Sequence, residues 1–130
     1  MLRHIIALFI ATVLTAAAAH GASVTWDDGD PTDHNWSSGQ NWAGDSAPGP
    51  SDTAVFDDTA VGTTVVDTDF TIATLLVQNT AGAFETVISN GVTLTVNNDI
   101  QVGVDVIGSD MVITGGTLTV ADDWFIGQRL

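Results

Sequence analysis

The sequence predicts an all-β protein: a right-handed parallel β-helix, a solenoid whose rungs stack beneath an aromatic-rich amino-terminal cap. Three observations carry that expectation. The stretch 91–103 recurs 24 residues later as 115–127, so that Gly91-Val92-Thr93-Leu94-Thr95-Val96 falls on Gly115-Gly116-Thr117-Leu118-Thr119-Val120 without a gap. A fixed period of this size marks a stacked repeat architecture. Within each copy the apolar residues alternate, Leu94, Val96, Ile100 and Val102 in one, Leu118, Val120, Trp124 and Ile126 in the other. Alternation with period 2 places them on one face of extended strands. Finally, the chain holds no cysteine. A small exported domain often relies on disulfides, and strands bonded along their whole length would take their place.

Residues 1–22 read as a signal-peptide helix. Arg3 gives the positive start, Ile5 to Ala19 is a largely apolar run of 15, and small residues follow. That run is short for a membrane span, which needs about 20 apolar residues. Cleavage is expected after Ala22, with Ala19 the other candidate and an uncleaved anchor the alternative to both. Removal leaves Arg129 as the only Lys or Arg against 16 carboxylates, a formal charge of −15. Such a chain repels phosphate backbones and lacks the basic patch that holds an anionic membrane surface, so neither nucleic acid nor a membrane is an expected partner. No membrane span is expected after signal cleavage.

Residues 23–66 form the expected cap with its first strands. Between Ser23 and Asp57 the composition shifts to three tryptophans, all three prolines and many aspartates. Residues 67–130 form the expected rungs. The polar breaks Asn97-Asn98-Asp99 and Ala121-Asp122-Asp123 are corners, because Asn and Asp accept left-handed backbone and bond their own main chain. The apolar runs Thr86-Val87-Ile88-Ser89 and Met111-Val112-Ile113-Thr114 are read as equivalent strands of successive rungs. Counting back 24 residues from Leu94 and Val96 reaches Phe70 and Ile72, a worn earlier rung, whose continuation Thr74-Leu75-Leu76-Val77 matches in kind but not in register.

The cap carries a pattern of its own: Val24-Thr25-Trp26, Asn35-Trp36-Ser37, Asn41-Trp42-Ala43, then Pro48-Gly49-Pro50-Ser51-Asp52-Thr53-Ala54-Val55-Phe56-Asp57. It resembles the opening segment of large exported β-helix proteins of bacteria, of the kind carrying autotransporter-associated β-strand repeats or a carboxyl-terminal sorting signal. The resemblance spans Val24 to Asp57 and, more loosely, the rungs to Gly127. It implies a secreted or cell-surface location and a β-helix, and it says almost nothing about activity. Neither an outer-membrane barrel nor a sorting tail follows within this sequence. The ending at Gln128-Arg129-Leu130, directly after the closing glycine of a rung, leads to the expectation of a piece of a longer protein.

Candidate sites are few. Trp26, Trp36 and Trp42 are large apolar bodies with one donor each, suited to closing the open end of the stack. Their flat faces would alternatively stack on pyranose rings, making them the candidate carbohydrate-binding residues. Asp27, Asp28, Asp30 and Asp33 crowd around Gly29 and are the candidate calcium ligands, since Ca²⁺ takes several carboxylate oxygens; the other reading is a solvated turn. Asp122-Asp123 fall at a repeat corner and are turn formers before they are an acid/base pair. His34 has neither a cysteine nor a second histidine nearby for zinc. No serine lies in Gly-x-Ser-x-Gly, and no phosphate loop is present. Thr93, Thr95, Thr117 and Thr119 would form outward ladders, reminiscent of ice-binding helices but also ordinary strand chemistry. The expected function is therefore non-catalytic: an exported bacterial stalk or adhesive surface whose partners are extracellular glycans or surface proteins. The alternative is a carbohydrate-binding module or a fragment of a polysaccharide-processing β-helix enzyme.

Overall fold

The computed structural model describes residues 21–81, 84–103 and 111–127. The signal segment, apart from its last two residues, and the tail Gln128-Arg129-Leu130 lie outside these. The described chain is all-β, its one helical element the short 3-10 turn Gly39–Asn41. Nine strands follow in order: β1 (Ser23–Thr25), β2 (Thr53–Phe56), β3 (Thr63–Val66), β4 (Phe70–Ile72), β5 (Thr74–Val77), β6 (Phe84–Val96), β7 (Ile100–Val102), β8 (Met111–Val120) and β9 (Trp124–Ile126).

Every strand-to-strand ladder is parallel. One sheet runs β1-β2-β5-β7-β9. The long strand β6 pairs with three others, β3, β4 and β8. The first part of β6 pairs with β3 and the first part of β8, and its last part pairs with β4 and the last part of β8. The expected files are present in register: Phe70, Leu94 and Leu118 are paired neighbours, as are Ile72, Val96 and Val120. In the first sheet Leu75 pairs with Ile100 and Ile100 with Trp124. The step from β5 to β7 is one residue longer than the step from β7 to β9, which is why Thr74-Leu75-Leu76-Val77 fits the repeat in kind and not in phase.

One expected equivalence is corrected. Met111 pairs with Phe84, not with Thr86, and Thr86 pairs with Ile113. The cause lies at the corner. Ser89-Asn90-Gly91-Val92 in β6 face only Gly116 between the pairs Ile88–Gly115 and Thr93–Thr117. The corner shifts the register by three residues, and the observed pairing stands two residues from the expected one, so with a side-chain period of 2 the same residues still point inward. Gly115 makes the tight side of this corner. Its φ is +84°, and a Cβ there would overlap the carbonyl oxygen of Ile88, so only glycine fits.

The inward files build one core: Ala54, Phe56, Val66, Ile72, Leu75, Val77, Phe84, Ile88, Leu94, Val96 and Ile100 are buried together with the three tryptophans. Two threonines are buried in the same interior. Thr64 and Thr86 are paired through their strands, and their hydroxyls lie 3.0 Å apart, satisfying each other. Asn79, also buried, donates from its side-chain amide to the carbonyl of Ala60. A buried polar group without such a partner costs roughly 1–3 kcal/mol.

Candidate functional site

The segment between β1 and β2 folds over the Ala54–Phe56 end of the core. Trp26 continues β1, its N–H donating to the carbonyl of Val55 at 2.8 Å. A single antiparallel bridge ties Trp26 to Trp42, and Asn35 bridges in parallel to Val65 of β3. These two attachments turn the three indoles inward, where each is 0% exposed. Trp42 meets Trp26 edge to face at a centroid distance of 5.0 Å and Trp36 at 5.5 Å. Phe56 stacks against Trp26 at 5.7 Å on one side and against Phe84 at 5.0 Å on the other, linking the lid to the core. Edge-to-face and offset pairs of this kind add about 0.5–1.5 kcal/mol each beyond burial. Trp42 Nε1 donates to the carbonyl of Trp36 at 2.9 Å and Trp36 Nε1 to Thr64 Oγ1 at 3.0 Å. Trp26 Nε1 is buried without a hydrogen-bond partner.

Asn41 organises this lid. Its side chain is fully buried, accepting from the Asp30 N–H at 2.9 Å and donating to the Asn35 carbonyl at 3.0 Å. Its own carbonyl accepts the N–H groups of Asp27 and Asp28. A single residue thus binds both limbs of the loop that carries Trp26 and Trp36. In the sequence Asn41 stands out only as part of the Asn-Trp pattern. The signal for its role was a polar amide directly beside a tryptophan that has to be buried.

The candidate sugar platform has no open face. With all three indoles sealed against one another, Phe56 and the core, none of Trp26, Trp36 and Trp42 offers a solvent-facing ring to a pyranose. The candidate calcium ligands likewise point elsewhere. Asp30 Oδ1 accepts from Thr32 Oγ1 at 2.6 Å and from the Thr32 N–H, and Asp30 Oδ2 accepts from Ser38 Oγ. Those bonds, Thr32's first, hold the Asp30 carboxyl below its ordinary value. Asp33 Oδ1 accepts the Asn35 N–H at 2.9 Å, and Asp28 Oδ1 lies 2.6 Å from His34 Nδ1. Asp27 is exposed. Among the described residues no three His, Cys, Asp or Glu side chains converge on a common point. The aspartates instead close turns, as does Asp58, whose carboxyl is lowered by bonds from the Thr80 N–H and hydroxyl.

Asp122 and Asp123 are exposed at the corner before β9. The Asp123 N–H lies 3.4 Å from Asp99 Oδ1, one repeat earlier, which is a corner-to-corner contact. The threonine files are real: Thr71, Thr95 and Thr119 are successive neighbours, with Thr93 beside Thr117.

At the far end from the lid no described residue covers the core. A cavity of about 500 Å³ is lined by Ile100, Met111, Ile113, Leu118, Trp124 and Ile126 among others, and none of the described residues lining it is ionisable. Trp124 is 51% and Ile126 71% exposed, although both continue inward files. The sequence placed these residues on the inner face. Their exposure follows from the absence of a paired strand beyond β9 among the described residues. No helix among the described residues is long and apolar enough to cross a membrane. No family model, curated protein or solved structure matches the chain.

Proposed function

We propose that the chain is a segment of a right-handed parallel β-helix, exported by a bacterium and serving without catalysis as a stalk or adhesive surface. The in-register parallel file Phe70–Leu94–Leu118 carries this proposal, because a coil with rungs of 24 residues makes side chains 24 apart neighbours in parallel strands. In this reading β2, β3 and β4 form one rung. β5 with β6 forms the next, and β7 with β8 the third. The tryptophan lid closes the first rung, and the strand edges of β8 and β9 are where the rod extends. Extension would present the corners and the outer threonine files as a repetitive contact surface for glycans or surface proteins. The sealing of the tryptophans favours the structural reading over the carbohydrate-binding one.

Fractionation of bacteria expressing the full chain tests the export half of the proposal. A mature chain beginning at Ser23 is expected outside the cytoplasmic membrane. Recovery of an unprocessed chain beginning at Met1 in the cytoplasm would refute it.

A further inference from the structure

His34 is the only described residue whose side chain can carry a positive charge, and it sits inside the densest acidic run of the chain. Its Nδ1 lies 2.6 Å from Asp28 Oδ1. The two residues belong to different limbs of the lid. Asp28 follows Trp26 in left-handed backbone, φ +53°, with its N–H directed at the Asn41 carbonyl. His34 is anchored on the body, because its carbonyl accepts the N–H of Val65 in β3 at 2.9 Å. Two residues after His34 comes Trp36, and two before Asp28 comes Trp26. The contact therefore clasps the limb holding one buried indole to the limb holding another.

We propose that His34 and Asp28 form a proton-operated latch on the tryptophan lid, tight when the imidazole is charged and looser when it is neutral. Protonation turns the contact into a charge-assisted hydrogen bond, roughly twice as strong as a neutral one. The groups facing the ring are Asp28, then Asp33 and Asp30. The hydrogen bond from Asp28 and its charge, aided by the other two carboxylates, raise the His34 pKa above its ordinary 6.5 against a smaller opposing effect of desolvation. A raised pKa fixes the sign. The stabilisation is complete below 6.5 and disappears as the pH climbs through the value His34 has in the folded chain. Acidification would close the lid, and mild alkalinity would free it.

The test follows the indole N–H groups of Trp36 and Trp42, which are bonded inside the lid, by hydrogen exchange between about pH 5.5 and 8.5, a window spanning the ordinary histidine value. The full chain, His34→Gln and Asp28→Asn are compared, and the His34 ring is titrated by NMR in the first and third. In the full chain His34 should titrate above 6.5, and in Asp28→Asn it should fall back. Indole exchange should be several-fold slower than in His34→Gln at low pH, the ratio approaching one as the pH rises. Because both chains share the same intrinsic exchange chemistry, that ratio isolates the latch. A ratio that stays constant with pH, or a His34 that titrates at or below 6.5 in the full chain, would overturn the proposal. Should His34→Gln fail to fold, the Asp28→Asn ratio decides by the same criterion.

Discussion

At the two ends of the ladder β2-β5-β7-β9 the inward positions are apolar alike and meet opposite fates. Along the file Ala54–Leu75–Ile100–Trp124 the first three side chains are fully buried and the last is half exposed. The parallel file Phe56–Val77–Val102–Ile126 ends the same way, from a sealed Phe56 to an Ile126 that is 71% exposed. The inward positions of β9, Trp124 and Ile126, are apolar like Ile100 and Val102 of β7. What differs is the next layer. At one end three indoles, the two loop limbs that carry them and a 3-10 turn cover the core; at the other no described strand lies beyond β9. A single turn of strand cannot bury its own inner face, so burial here belongs to the stack and not to the residue.

The largest effect should separate the two ends outright. Trp42→Ala removes a fully buried indole that touches both other tryptophans, and should cost about 3–5 kcal/mol in urea unfolding. Trp124→Ala, at the open end, should change stability by no more than about 1 kcal/mol, as surface substitutions do. Equal losses would erase the contrast.

Next comes the lid's polar centre. Asn41→Ala should cost about 1–3 kcal/mol, by stranding the Asp30 N–H and the Asn35 carbonyl and loosening both limbs. Proteolysis confined to the segment around Gly29 would sharpen the view of Asn41 as the lid's clasp; an unchanged chain would break it. At the corner, Gly115→Ala should destabilise by more than the roughly 1 kcal/mol usual for glycine in left-handed backbone, because the new Cβ also meets the Ile88 carbonyl. Gly62→Ala has a similar φ, +80°, and open space around it, so it provides the control for backbone strain alone.

The smallest effect is electrostatic. The carboxyl of Asp58 is held below its ordinary 3.8 by the Thr80 and Ala81 N–H groups. Its contribution is present above 3.8 and is lost as the pH falls below that through the folded value. The melting-temperature difference between the full chain and Asp58→Asn should therefore shrink as the pH falls from about 5 toward 3, and a difference independent of pH would contradict this.

Much of the fold could be read from the residues because stacking constrains side chains. Leu94 and Leu118 had to match since they are neighbours in one file, and the same constraint exposed Phe70 behind them. Corners escape that constraint. They lie outside the core, so Ser89-Asn90-Gly91-Val92 can face one glycine, and the pairing of Thr86 was hidden behind an apparently even period. The size of the tryptophans pointed to burial, with a sugar platform as the alternative, and all three are buried. The role of Asn41 was not legible, because it depends on two loop limbs that only folding brings together. Nor was the open cavity, since the pattern of Trp124 and Ile126 says which way they face and not whether anything lies above.

The most direct measurement uses the absence of native cysteine. Thr95 and Thr119 point outward from paired positions of adjacent parallel strands, within the reach of a disulfide, whereas Thr95 and Thr117 lie on a diagonal. Under mild oxidation Thr95→Cys with Thr119→Cys should close an intramolecular bridge quantitatively in the folded chain, and Thr95→Cys with Thr117→Cys should lag far behind. Failure of the first pair to bridge, or equal bridging by both, would contradict the proposed coil, in which residues 24 apart lie side by side.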